Sequence, residues 1–520
     1  MKPLLTSSVV RSDLQPRSTP HAGLSNLLGA RTTRRRAAVL LAVWLAASAS
    51  TPASDLANRL QMLLNLSCLK SAHIGMKVTR VHDGRVLFER SSSAGLRPAS
   101  TLKLLTSATA LHELGPEFTF KTRFLSNAPL RDGVLEGDLI VRGGGAPDLI
   151  AERLWYAARA LARLGVHEVR GDLVADESYF DRERRPPGWR SPRVRRAYNA
   201  PIGPLSFNFN VLTIEVTPGE TAGTPARASL APLAAGQELA NHATTSSSRS
   251  DLKFEARRKG DRERWILGGR IRRSSAPIRL HRSVHDPGLY ALGALRDLLA
   301  REGVTVQGGL RSAATPEGAR ELFVLESRPL SQVLLLMNKM SNNMVAETIL
   351  KTLGAEDTGM PGTTKDGLRV VNRFLEEIGV DTAVVKLSDG SGLSTKDLLS
   401  AGVLVQILEE IPRRFSVWPE FLSSLPIGGV DGTLHERMEE LAERRVRAKT
   451  GRISGTVTLA GYVENKDGEL LAFAILVNRI RCGYPRVTEQ VDRLALALAN
   501  SRTADVAELS PRTPSSAGSP

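Results

Sequence analysis

An α/β fold is what this 520-residue sequence predicts: one antiparallel sheet built from both ends of the chain, flanked by helices and interrupted by a β-rich insertion. Three observations predict it. Residues 74–88 alternate like a hairpin turning at Asp83-Gly84, and an apolar helix follows from Pro98-Ala99-Ser100 to Gly115-Pro116. Near the other end, strand-like runs at 453–463 and 470–478 flank a turn at Asn465-Lys466-Asp467-Gly468 and lead into a helix at 487–499. Between these ends, residues 118–282 read as short strands and turns, interrupted by one clear helix at 149–164.

Taken in order, residues 1–49 predict an export segment. Arg31, Arg34, Arg35 and Arg36 precede an uncharged apolar run at 37–47, and Ala47 and Ala49 fit a signal-peptidase site with cleavage after Ala49. That run is far shorter than the roughly 20 residues needed to span a bilayer, so a periplasmic location is expected. A helix at 56–66 precedes the first hairpin. Strand candidates at 118–124, 137–141, 169–174, 210–216 and 265–271 fill the insertion. Helices return near Pro287 and dominate to 411, with periodic runs at 330–340, 345–353, 366–378 and 396–411. A strand at 445–451 leads into the closing hairpin. The expected organisation is a signal peptide at 1–49, a core domain from 50–117 and 283–500, an inserted β-rich region at 118–282, and a disordered tail at 501–520.

Composition narrows the function. The formal charge is +16, and removing residues 1–49, with seven basic residues against Asp13, lowers it to +10. A cationic exported protein suits peripheral association with anionic envelope polymers. The charge is spread out and aromatics make up only 5%, which argues against a base-stacking nucleic-acid surface. The two cysteines, Cys68 and Cys482, suit an oxidising compartment in which one disulfide can form. The nine histidines are scattered and no Cys/His spacing fits zinc, so neither a metal nor a cofactor is expected.

Three short strings carry the chemistry. Ser-x-x-Lys occurs at Ser67/Lys70, Ser100/Lys103 and Ser250/Lys253, and only Ser100 opens a buried apolar helix. There the hydroxyl meets free backbone N–H groups and the positive end of the helix dipole, and Lys103 returns to the same face one turn on. A plain N-cap serine would give the same local string. Ser341-Asn342-Asn343 falls in the break between two helices, where a hydroxyl and an amide can enter a cleft, although a cap-and-turn reads the same way. Lys449-Thr450-Gly451 lies in a strand, where Gly451 admits a ligand backbone and the lysine suits a peptide ending in a carboxylate. Together they predict acyl transfer from a serine, with a lysine base made neutral part of the time by burial, the helix N-terminus and the neighbouring cation Lys449.

At these residues the chain resembles the D-alanyl-D-alanine carboxypeptidase/endopeptidase family, the class C low-molecular-mass penicillin-binding proteins, over most of 55–500. Spacings of 241 residues between the first two strings and 108 between the second two fit that family better than a β-lactamase. Further strings agree: Gly143-Gly144-Gly145-Ala146-Pro147-Asp148-Leu149, Asp389-Gly390-Ser391-Gly392-Leu393-Ser394 and Gly429-Val430-Asp431-Gly432-Thr433-Leu434. The resemblance implies a transpeptidase-like core of the penicillin-binding protein/β-lactamase type with two nested β-rich domains, and an exported enzyme that trims or un-crosslinks peptidoglycan stem peptides. β-Lactams would be its covalent inhibitors. It implies that Ser100 forms the acyl-enzyme, Lys103 deprotonates it and Ser341 passes a proton to the leaving amine. It further implies that Asn343 holds the substrate backbone, that Lys449 and Thr450 take the terminal carboxylate beside Gly451, and that the N–H groups of Ser100 and Arg452 form the oxyanion hole. Asp176 would meet the amine of a diamino acid in the stem peptide. The chain departs from the family at Thr395-Lys396, where an Arg is common, and at Gly145-Ala146-Pro147. Because the first and last strands pair in this fold, a Cys68–Cys482 disulfide is also implied. A β-lactamase or Ser-x-x-Lys esterase, and a non-catalytic peptidoglycan sensor, are the alternative functions.

Overall fold

The computed structural model describes residues 55–189, 195–439 and 444–505. The expected signal peptide at 1–49 lies outside them, as do residues 506–520 of the expected tail. Ser501 is not part of a loose end. It is buried, and its hydroxyl donates to the Leu498 carbonyl at 2.7 Å.

Both chain ends do build one sheet. Strands β1 (His73–Arg80) and β2 (Val86–Arg90) come from the start, and β3 (Val446–Ile453), β4 (Thr456–Glu464) and β5 (Leu470–Asn478) from the end. They are all antiparallel in the order β2-β1-β5-β4-β3. The first residue of β1, His73, pairs with the last of β5, Asn478. Two apolar cores sandwich the sheet, and the period-2 alternation of β5 serves both. Phe473, Ile475 and Val477 face α1 (Asp55–Leu64) and the closing helix, while Ala472, Ala474 and Leu476 face the helical core. Burial on both faces explains why 470–478 is an almost unbroken apolar run.

The helical core centres on α2 (Lys103–Leu114), which is buried on every side from Lys103 to Leu111. Around it stand α3 (Asn343–Thr358), α4 (Thr364–Glu377) and α5 (Ala401–Glu410), and α6 (Tyr484–Ala499) closes the opposite face of the sheet. Among the described residues no helix is long and apolar enough to cross a membrane.

The inserted region is longer than expected. Strand Arg320–Glu326 pairs with Lys121–Ser126 at the edge of a five-stranded mixed sheet, so the insertion closes near 326 rather than at 282. The helix Pro287–Arg301 reads as a return to the helical domain, but its buried Tyr290, Leu295 and Leu299 share a core with Ile214 and Trp265 of the insertion. Periodicity shows that a helix has an apolar face, not which core receives it.

Cys68 and Cys482 form a disulfide, joining segments 414 residues apart beside the β1–β5 pair.

Candidate active site

Ser100 lies in a 3-10 turn, Ala99–Leu102, and the α-helix proper begins only at Lys103. The N-cap reading therefore fails, because no side-chain cap bond forms at either start. Two backbones close on this turn. A Cβ on Gly451 would lie 2.1 Å from Thr458 Oγ1 and 2.9 Å from Ser100 N, and one on Gly392 would lie 1.8 Å from the Ala99 carbonyl oxygen. Only glycine fits at either place. Thr458 fastens the turn by donating from its hydroxyl to the Pro98 carbonyl at 2.8 Å.

Lys103 is fully buried, and its Nζ donates to Ser100 Oγ at 3.1 Å, Asn343 Oδ1 at 2.7 Å and the Ser391 carbonyl at 2.8 Å. Burial pushes this lysine down to about 7, against the charges of Asp389 and Glu347, which push it up. A neutral amine 3.1 Å from a serine hydroxyl is a general base in hydrogen-bond reach of the proton it must take.

Ser341 occupies the break between the helix Leu330–Lys339 and α3, with a left-handed φ of 54°. Asn342 caps α3 by accepting from Val345 N at 3.2 Å, which frees Ser341 to face the cleft. Ala99 beside the nucleophile is also left-handed, at φ 47°. Such backbone costs roughly 1–2 kcal/mol per non-glycine residue, and here it is stored next to both candidate catalytic hydroxyls. Asn343 lines the cleft wall, where its Nδ2 donates to the Tyr198 carbonyl of the insertion at 2.8 Å and its Oδ1 accepts from Lys103. It bridges the lysine and the insertion.

Lys449 is also fully buried, and its Nζ donates to Ser341 Oγ at 2.9 Å and to the Thr450 carbonyl at 3.0 Å. Burial, then the charges of Lys103 and Arg437, hold it well below the usual lysine range. Thr450 Oγ1 donates to Thr433 Oγ1 at 2.7 Å. Both residues lie at the cleft, as does Arg437, whose guanidinium is held by Asp492 at 2.5 Å. Strand β3 is the edge of the sheet, so its residues 450–453 border the cleft.

The cleft encloses about 810 Å³, with Ser100, Ser341, Asn343, Thr450, Gly451 and Arg452 on its walls, and Gly188, Tyr198 and Asn199 contributed by the insertion. Lys103 and Lys449 stand buried behind those walls. A slightly larger cavity of about 890 Å³ beside α4 contains none of the three strings. Chemistry, not size, picks the site.

Asp176 is not brought to the cleft. It is buried in the strand Leu173–Asp176 and accepts from Ser178 N and Thr315 N, both at 2.9 Å. Burial pushes its carboxyl up, and the bonds from Thr315 and Ser178 outweigh that and leave it below the usual range. With its oxygens committed inside the insertion, it has no free face for a substrate amine. Nothing in Asp176-Glu177-Ser178 marks which way the strand end faces, so its burial is not written in the local sequence.

Several contributors escaped the sequence reading. Glu347, four residues after Asn343 on α3, accepts the Gly390 N–H at both oxygens, 3.1 and 3.0 Å. Burial, then the charge of Asp389, raises its carboxyl. Trp189 donates its indole N–H to Asp389 at 2.8 Å. The i, i+4 spacing of Asn343 and Glu347 was a usable signal, whereas Trp189 and Tyr198 reach the site only through the tertiary fold. Among the described residues, no group of three or more His, Cys, Asp or Glu side chains is placed to hold a metal.

Comparison with known proteins identifies the family of the chain. Residues 56–500 match the model of the D-Ala-D-Ala carboxypeptidase 3 (S13) family. A D-alanyl-D-alanine carboxypeptidase from Actinomadura sp. (strain R39) is 34% identical over 490 residues, covering 89% of this chain and 90% of that protein. The D-alanyl-D-alanine carboxypeptidase DacB of Haemophilus influenzae is 27% identical, covering 80% of this chain and 87% of that one. The crystal structure of penicillin binding protein 4 (dacB) from Haemophilus influenzae superposes with a TM-score of 0.75 at 25% identity, covering 85% of this chain and 99% of that one.

Proposed function

The chain belongs to the D-Ala-D-Ala carboxypeptidase 3 (S13) family and is a serine-type D-Ala-D-Ala peptidase, and on that premise we propose how its residues share the work. Lys103 removes the Ser100 proton, and Ser100 Oγ attacks the carbonyl between the two D-Ala residues of a peptidoglycan stem peptide. The N–H groups of Ser100 and Arg452 receive the oxyanion, a contribution of about 3–4 kcal/mol per donor in comparable sites. As the C–N bond breaks, Ser341 hands a proton to the leaving amine and is resupplied through Lys449 behind it with the proton that Lys103 took from Ser100, so both lysines end the step as they began it. Water then attacks the ester carbonyl, Lys103 takes the water's proton, and Ser100 leaves with one.

Lys449, Thr450 and Thr433 gather at the end of β3 where the terminal carboxylate docks. A carboxylate arriving there favours the charged form of Lys449, so binding and proton supply are linked at one residue. Carboxypeptidase and endopeptidase reactions share this acyl-enzyme and differ only in the amine that leaves. β-Lactams acylate the same Ser100. The protein works in the periplasm after export and cleavage behind Ala49, with the mature charge of +10 supporting loose association with the envelope.

One observation carries the reading: a fully buried lysine held down to about 7 donates to Ser100 at 3.1 Å. The test incubates the wild type and Ser100→Ala with a fluorescent penicillin, then with a disaccharide pentapeptide and a cross-linked dimer. Stable labelling with D-Ala release is expected from the wild type alone. Labelling of Ser100→Ala would remove the site assignment. Rapid penicillin turnover would indicate a β-lactamase, and labelling without any peptide cleavage a sensor.

A further inference from the structure

The turn that carries Asp389-Gly390-Ser391-Gly392 is folded around one carboxylate. Asp389 is fully buried and accepts four bonds. Ser391 N and Gly392 N donate to Oδ1 at 3.0 and 2.6 Å, and Ser394 N and the Trp189 indole donate to Oδ2 at 2.7 and 2.8 Å. Three donors belong to the turn itself. The fourth comes from the insertion, 200 residues earlier.

The same turn touches both catalytic partners of the nucleophilic step. Its Ser391 carbonyl accepts from Lys103 Nζ at 2.8 Å, and Gly392 lies against Ala99, the neighbour of Ser100. Glu347 holds Gly390 N, and Thr106 Oγ1 donates to the Gly390 carbonyl at 2.6 Å. The Trp189 loop packs directly on the turn, since a Cβ on Gly188 would lie 2.4 Å from Ser394 Oγ. Gly188 also lines the cleft.

We propose that Trp189 is a positioning residue for the catalytic lysine: its indole N–H completes the bonding of Asp389, and through that turn the insertion sets the place of Lys103. The proposal rests on the reading of Lys103 as the base. A buried carboxylate stripped of one donor loses stabilisation of its charge. The turn then relaxes, moving the Ser391 carbonyl away from Lys103. With that acceptor withdrawn, less opposes burial at Lys103 and its charged form is disfavoured further. The groups in electrostatic contact with Lys103 are Asp389 and Glu347, which raise it, and Lys449, which shares its burial. The Asp397 carboxyl is raised by burial, then by the charge of Asp389 and by a side-chain hydrogen bond to it, so that it keeps its proton near neutral pH and shares it with Asp389.

Trp189→Phe keeps the ring and removes only the N–H. Rapid-mixing acylation by a fluorescent penicillin, followed from pH 5 to 9, reads both effects. We expect the plateau rate to fall about tenfold, as small misplacements of reacting groups do, and the acid-limb midpoint to move to lower pH. A purely structural loss would lower the plateau without moving the midpoint. In a double-mutant cycle, Asp389→Asn alone and with Trp189→Phe are expected to be equally slow, because the indole acts through that carboxylate. An unshifted midpoint in Trp189→Phe, or losses that add in full with Asp389→Asn, would overturn the proposal. Failure of the underlying reading would look different: Lys103→Arg would still acylate.

Discussion

At the residue scale, Lys103 can act only while uncharged, and burial holds it near the point where half the molecules qualify at neutral pH. The sign follows directly. Protonation below about 7 removes the base, so acylation should fall about tenfold for each pH unit under that midpoint. A pH profile of kcat/KM for D-Ala release checks it. Lys103→Arg keeps a cation that cannot lose its proton, and should slow acylation by about 10²–10⁴-fold. Of the site, the identities of Ser100, Lys103, Ser341 and Lys449 were legible, because their strings sit beside a buried helix, a helix break and a strand. The partners of Asn343 and the burial of Asp176 were not legible, because both depend on chain that is distant in sequence: Tyr198 for the first and Thr315 for the second.

At the element scale, β3 and the turn before α2 approach each other with no room for a side chain. Gly451→Ala would press a methyl against Thr458 and the Ser100 backbone, shifting the strand edge, and acylation should drop by about 10²-fold while circular dichroism stays native. Glu347→Ala leaves the Gly390 N–H buried without its acceptor. Urea unfolding should then show a loss of about 1–3 kcal/mol, with Glu347→Gln recovering part of it through its amide oxygen. Long periodic helices were read well, and their ends less so. The run 396–411 looked helical throughout, yet Leu398 and Leu399 pair with Lys386 and Leu96, and Ser400 caps a helix that starts at Ala401. The strands Thr305–Val306 and Leu310–Ser312 are too short to show a period.

At the scale of the whole molecule, the Cys68–Cys482 bridge spans 414 residues and ties together the two chain ends that build the sheet. Replacing both cysteines with serine should lower stability by about 2–4 kcal/mol, seen as an earlier unfolding midpoint, while penicillin labelling of the folded protein persists. Titration of unfolded, unreduced protein should find no free thiol. The insertion is more than an appendage, since Gly188, Tyr198 and Asn199 line the cleft and Trp189 and the Tyr198 carbonyl brace its machinery. By itself the sequence determined the α/β class, the pairing of chain ends in one sheet, and the three short strings that meet at one cleft, since these are written in local periodicity, turn chemistry and residue order. Only the tertiary structure decided where the insertion ends, which carboxylates stand behind Lys103 and what the insertion contributes. Burial and charge–charge contact depend on distances in space, and residues as far apart in the chain as Lys103 and Ser391, separated by 288 positions, meet at this site by packing alone.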